Sequence, residues 1–162
     1  LARSMEPRAS TPARRLEAIR QLSAAGIPTA AMVAPIIPAL NDSEIEAILE
    51  AAREAGASEA GYVLLRLPLE LKELFREWLA TDHPHRATRV IKLLQSMHGG
   101  KDYVATFGLR QRGSGPYAVQ IAQRFRLALQ RLGLNQRRLP LRTDLFRRPV
   151  LPGGQLGLFE SR

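Results

Sequence analysis

No cysteine occurs among the 162 residues. Disulfides are therefore excluded, and so is any metal or iron–sulfur site ligated by this chain's own thiolates. No apolar run approaches the roughly 18 residues of a membrane span, and no signal peptide opens the chain. The expectation is a soluble, cytoplasmic chain with no membrane partner. It begins at Leu1 rather than Met, which need not be where its gene begins. No internal repeat at a fixed period is present, which sets solenoids aside. No Ser–His–Asp arrangement and no phosphate-cradling glycine loop stands out, and Gly113-Ser114-Gly115 reads as a turn before a helix. His83, His85 and His98 do not share one helix face, and Pro84 interrupts them, so no metal site is expected from the histidines.

Acidic residues are scarce in the second half. Residues 1–82 carry 9 Lys/Arg and 12 Asp/Glu, whereas residues 83–162 carry 15 and 3. The halves are net −3 and net +12. Such asymmetry points the second half toward polyanions, nucleic acid first. The plainer reading is a solvated basic surface.

What is present centres on Ile27 to Pro68. Ile27–Ile37 and Gly61–Leu67 are apolar along their length rather than alternating, as in parallel strands buried on both faces. Between them the sequence predicts a helix over Ser43–Ala55, stopped by Gly56. Asn41 and Glu44 have the spacing of a capping box, and Ile45, Ile48, Leu49 and Ala52 form the inward face. Glu46, Glu50 and Glu54 read as its solvated surface. Ligands in such folds sit at the C-terminal strand ends, here Pro35-Ile36-Ile37-Pro38 and Leu65-Arg66-Leu67-Pro68.

Around this unit, Thr11-Pro12 starts a helix whose stripe is Leu16, Ile19 and Leu22, ended by Gly26. Leu71, Leu74, Phe75 and Trp78 predict a helix over Leu69–Leu79. Asp82-His83-Pro84 breaks it. Val90, Leu93, Leu94 and Met97 predict another over His85–His98. A glycine-containing loop follows, then a long helix over Pro116–Leu132, with Tyr117, Ile121, Phe125 and Leu129 inward and Gly133 as its stop. From Leu134 onward no period is evident, and the segment reads as an extended basic tail. The divisions are thus 1–68, 69–133 and 134–162.

Two buried parallel strands do not make a sheet. Their outer N–H and C=O groups need partners that helices cannot supply. The remaining strands are expected outside this chain, unless one lies near Tyr103–Phe107.

Glu6-Pro7-Arg8, the stretch Met32 to Pro38 with Asn41-Asp42, and Tyr62 to Pro68 together resemble a known family. The chain is similar to radical S-adenosylmethionine (SAM) proteins of the branch like spore photoproduct lyase, often labelled DNA-repair-photolyase-like. The resemblance extends to Phe75-Arg76-Glu77-Trp78, Gly99-Gly100-Lys101 and Phe146-Arg147-Arg148-Pro149. It implies an α/β fold: the C-terminal part of a partial (β/α)6 barrel, strands five and six, plus a helical extension. It implies SAM and a [4Fe–4S] cluster as cofactors. The cluster is held in that family by a Cys-x3-Cys-x2-Cys loop, which this chain does not contain. The cluster reduces SAM to a 5′-deoxyadenosyl radical, so the complete protein would be a lyase-like enzyme and this chain alone would not.

Residue by residue, the resemblance implies a SAM pocket near Ala34, Pro35, Ile36 and Ile37, continued by Leu64, Leu65 and Arg66. Arg66 would meet the SAM carboxylate or a substrate phosphate. Glu6 and Arg8 would stand at the rim. Read without the family, Pro35–Ile37 are core, Arg66 caps a helix or bridges to Glu70, and Glu6 pairs with Arg8.

Arg124, Arg126, Arg131, Arg137, Arg138, Arg142, Arg147 and Arg148 form a cationic region able to neutralise phosphates, with Phe146 available for stacking. Gln155, Leu156, Leu158 and Phe159 follow Gly153-Gly154 and resemble the short peptides that dock bacterial sliding clamps. The alternative function is a non-enzymatic DNA- or clamp-binding module, and a third is the end of a different (β/α) barrel enzyme.

Overall fold

From the N-terminus the order among the described residues is helices, strand, helix, strand, and then helices. The computed structural model describes residues 1–136, 143, 144, 146 and 147. A single turn, α1 (Ala2–Met5), precedes α2 (Pro12–Ala24). Thr11 caps α2, its hydroxyl accepting from the Arg14 amide at 3.4 Å, with Pro12 in the first turn. The stripe expected to be inward does not bury: no residue of α2 is buried, and Leu22 is 42% exposed. The apolar period is there, but Leu16 and Ile19 are only half-buried, so the described residues cover it in part.

β1 (Ala30–Ile36) and β2 (Glu59–Leu64) run parallel, with Ala30 opposite Glu59, Val33 opposite Tyr62 and Ile36 opposite Leu64. The ladder is extended at both ends, by Ser58 N–H to the Thr29 carbonyl (3.0 Å) and Leu65 N–H to the Ile36 carbonyl (2.9 Å). β1 is shorter than its apolar run because Pro28 and Pro38 have no N–H to give. A 3-10 turn (Asp42–Glu44) leads into α3 (Ile45–Glu54), which buries Ile45, Leu49 and Ala52 and leaves Ile48 exposed. The expected capping box does not form. The Asn41 side chain is used instead across the end of β1, accepting from the Ile37 amide (2.7 Å) and donating to the Pro35 carbonyl (3.0 Å).

The helical extension is α4 (Leu71–Asp82), α5 (Pro84–Ser96), the single turn α6 (Leu109–Arg112) and α7 (Gly115–Leu132). The break at His83-Pro84 and the left-handed stop at Gly133 fall where the sequence places them. α4 turns Phe75 and Leu79 inward, while Leu71 and Leu74 are exposed, contrary to the expected face. α5 contributes Val90 and Leu94, and α7 contributes Ala118, Ile121, Phe125 and Ala128. Tyr103–Phe107 forms no strand. No helix among the described residues is long and apolar enough to cross a membrane.

The sheet is unequal in its edges and faces. One face, with Val33, Ile36, Tyr62 and Leu64, joins the core shared with α3 and α7. On the other, Met32 is 65% exposed and lies over Gly61, where a Cβ would stand 3.2 Å from its terminal methyl. Ala30 and Ala34 are exposed beside it. The outer edge of β2 is closed by Asn135, which acts as one residue of a missing strand. Its side-chain oxygen accepts from the Ala60 amide (2.7 Å), its side-chain nitrogen donates to the Ala60 carbonyl (2.9 Å), and its own amide donates to the Ser58 carbonyl (3.0 Å). Leu134 beside it is 2% exposed, so Leu134 and Asn135 belong to the fold rather than to the tail. Among the described residues no strand pairs with the outer edge of β1.

Candidate functional site

The C-terminal ends of β1 and β2 are braced from two sides. On one side, the loop after β1 is held to α7. Asp42 is 8% exposed and accepts from the Tyr117 hydroxyl at 2.5 Å. Arg124 donates to the Asp42 carbonyl (2.9 Å) and, through two nitrogens, to both oxygens of Glu46 (2.8 and 2.6 Å). This fork-on-fork pair ties α3 to α7. The Tyr117 phenol is pushed up to about 12 by burial and by the Asp42 carboxylate, so it keeps its proton and remains a donor. Arg53 adds a bond from α3 to the Leu132 carbonyl at the end of α7 (3.1 Å).

On the other side, Arg66 leaves the end of β2 and donates to the Tyr103 hydroxyl (3.2 Å), with its guanidinium 5.8 Å from that ring. Tyr103 is placed by its neighbour Asp102, which accepts from Arg76 of α4 (2.9 and 3.0 Å) and Gln95 of α5 (2.9 Å). Burial pushes the Asp102 carboxyl up, but the bonds from Gln95 and Arg76 outweigh it and hold the group below the usual range. The Nε of Arg66 is buried with no hydrogen-bond partner. A cation with an unused donor therefore stands at a C-terminal strand end, where ligands are bound in parallel α/β folds.

The residues singled out from the sequence fall into three groups. Ala34, Pro35 and Arg66 lie at or near the open side of the strand ends, Ala34 exposed and the other two half-buried. Ile36, Ile37, Leu64 and Leu65 are sealed in the core, at 1%, 0%, 0% and 7% exposure, so their side chains back the wall rather than face a ligand. Glu6 and Arg8 are exposed. Glu6 lies 3.6 Å from Arg15 rather than pairing with Arg8, and no hydrogen bond or ion pair joins either to Arg66 among the described residues. Of the basic set, Arg126, Arg131 and Arg147 are exposed, whereas Arg124 is neutralised by Glu46. Arg137, Arg138, Arg142 and Arg148 lie outside the described residues, as do Gln155, Leu156, Leu158 and Phe159. No group of three or more His, Cys, Asp or Glu side chains that could hold a metal ion occurs among the described residues. Sequence reading gave Asn41 a helix-capping role rather than this one, and it missed Tyr103, Tyr117 as a hydrogen-bond donor, and Asn135.

The Glu46–Arg124 pair gives a pH-dependent expectation. The bond from Arg124 holds the Glu46 carboxyl below its ordinary 4.5. Its contribution is then fully present above 4.5 and is lost as pH falls through the lowered value. The pair is about one-third exposed, so solvent screening limits it to roughly 1 kcal/mol. Glu46→Gln should lower the urea midpoint at pH 7, and by progressively less as pH falls below 4.5.

No family model matches the chain, and no solved structure matches it. Similar chains are the uncharacterized protein Mb2609c of Mycobacterium bovis and the uncharacterized protein Rv2578c of Mycobacterium tuberculosis. Each is 35% identical over 95 residues, a match that spans 57% of this chain and 28% of the relative. The chain therefore matches little more than a quarter of the length of these relatives.

Proposed function

We propose that the chain supplies the last two β/α units of a radical SAM partial barrel, strands five and six, with α4–α7 as its C-terminal extension. The observation that carries this reading is a mismatch between sequence and burial. β1 is apolar on both faces and is covered on one, and among the described residues no strand pairs with its outer edge, whereas Asn135 caps the outer edge of β2 at Ala60. A sheet sealed at its last strand and open at the first fits the end of a larger parallel sheet. The relatives, matched over 28% of their length, are long enough to hold the rest.

The residues present suit part of a SAM site. Arg66, half-buried at the strand end, offers a cation to the SAM carboxylate. Ala34 and Pro35 leave room beside the strand end for the adenine, and Ile36, Ile37 and Leu65 support that wall from the core. Glu6 and Arg8 stand at the rim. The cluster does not suit this chain, which has no cysteine, so its ligands lie elsewhere in the proposed protein. Cluster and SAM together would supply radical chemistry in the cytoplasm. The part of this chain is to orient SAM and to present substrate. In the sequence beyond the described residues, Gln155, Leu156, Leu158 and Phe159 are proposed as a clamp-docking peptide.

The test is SAM binding by the protein extended to the length of its relatives and reconstituted with iron and sulfide. Arg66→Ala is expected to weaken SAM binding by about tenfold to a hundredfold, as for loss of a charged hydrogen bond, with iron content unchanged. A reconstituted wild-type protein that binds no SAM overturns the reading.

A further inference from the structure

Phe107 is 87% exposed, the largest value for an aromatic side chain among the described residues. Gly108 at φ 85 turns the chain just after it into α6, which leaves the ring projecting rather than folded back onto the core. Leaving a phenylalanine in water forgoes the burial that normally stabilises it. The Arg110 guanidinium lies 5.5 Å from this ring, and two residues on, Arg112 lies 4.1 Å over the ring of Tyr62 on β2. Arg112 and Arg126 then share a cleft of about 220 Å³ along the outer edge of β2, closed at one side by Asn135 and lined by no acidic residue. Between Asp102 and Asp144 the sequence carries eight arginines and no Asp or Glu. The surface thus alternates a flat apolar ring with fixed guanidinium groups, and no carboxylate near it in sequence neutralises them.

We propose that Phe107, Arg110, Arg112 and Arg126 form a binding surface for single-stranded nucleic acid, with Phe107 stacking on an unpaired base and the arginines contacting the phosphates on either side. The inference does not depend on whether the protein binds SAM. It shares only Arg126 with the basic region legible in the sequence, which is centred on α7 and the residues after it. Charge complementarity selects a polyanion, and the exposed ring selects among polyanions. An acidic peptide offers carboxylates and no planar face, and a duplex hides its base faces in the stack, whereas a single strand offers both base and phosphate. At Ala60 the backbone of β2 is already satisfied by Asn135, so the cleft there presents side chains rather than open ladder groups.

The test is fluorescence anisotropy of a fluorescein-labelled mixed-sequence single strand titrated with the full chain at several salt concentrations. Phe107→Ala is expected to weaken binding about tenfold with the salt slope unchanged, since one stacking contact is lost. Phe107→Tyr should restore it. Arg112→Gln should lower the log–log salt slope by about 0.7, as for one phosphate contact. A strand of the same length lacking bases should bind the wild type about tenfold more weakly and should not respond to Phe107→Ala. The position is exposed, so folding is not at stake, and circular dichroism of each variant checks this. The proposal is overturned if Phe107→Ala binds like the wild type, if a polyglutamate peptide of equal charge competes as well as the oligonucleotide, or if no single strand binds.

Discussion

Asn135→Ala is expected to destabilise the chain by about 3 kcal/mol, measured as a fall in the urea midpoint at constant slope. Two terms add. The substitution strands the Ala60 amide and carbonyl, which now receive and give bonds of 2.7 and 2.9 Å to one side chain. Ala60 is 8% exposed, and each polar group left without a partner costs about 1–3 kcal/mol where water cannot reach it. Asn135 is itself exposed, so water replaces part of the loss. The second term is conformational: Asn135 sits at φ 60, a left-handed geometry that costs alanine about 1 kcal/mol. Asn135→Gly separates the two, because glycine accepts the geometry and offers no side-chain bonds. It should cost about 2 kcal/mol. Both variants leave a strand edge uncovered and should aggregate more readily on warming. A loss under about 0.5 kcal/mol for both would mean that the edge does not depend on Asn135.

Arg124→Met is expected to cost about 2 kcal/mol and to loosen the end of β1. Methionine keeps an apolar stem at this position of α7 and removes the guanidinium. Three bonds go with it, two to Glu46 and one to the Asp42 carbonyl. Charged hydrogen bonds are worth about 1.5–3 kcal/mol each when buried. The side chains here are 32% and 34% exposed, which brings the sum down. A double-mutant cycle with Glu46→Gln should give a coupling of about 1 kcal/mol, and one with a residue far from α7, such as Glu17→Gln, should give none. Because Asp42 adjoins Asn41, which spans Pro35 and Ile37, amides of residues 37–42 should exchange faster in Arg124→Met.

Elements with a strong local signal were legible. The apolar runs gave both strands and their parallel sense, since runs without alternation are typical of parallel strands, although among the described residues only one face of β1 is covered. Pro84 and Gly133 marked a helix start and a helix end through the missing N–H of one and the left-handed freedom of the other. The face of α4 was misjudged because Leu71 and Leu74 follow a helical period that fits a stripe one position away from the one that packs. α2 shows the complementary case, an apolar stripe that the described residues cover only in part. Of the strand-end site, the position was readable from fold logic and Arg66 from its charge at that position. Its partner Tyr103, 37 residues away, was not, because such a contact is set by how α4 and α5 hold Asp102. Asn135 was likewise hidden, since nothing local tells that a residue after a helix returns to a strand 75 residues earlier.

The most direct test is hydrogen–deuterium exchange of the two strand edges, in this chain and in the protein extended to the length of its relatives. The outer-edge amides of β1 (Ala30–Ile36) should exchange quickly in the chain and become protected in the longer protein, where another parallel strand pairs with them. The Ala60 amide on the outer edge of β2 should be protected in both, held by Asn135. Equal, rapid exchange of the β1 edge in both proteins would contradict the central claim, because β1 would then be a true sheet edge and the chain no part of a larger parallel sheet.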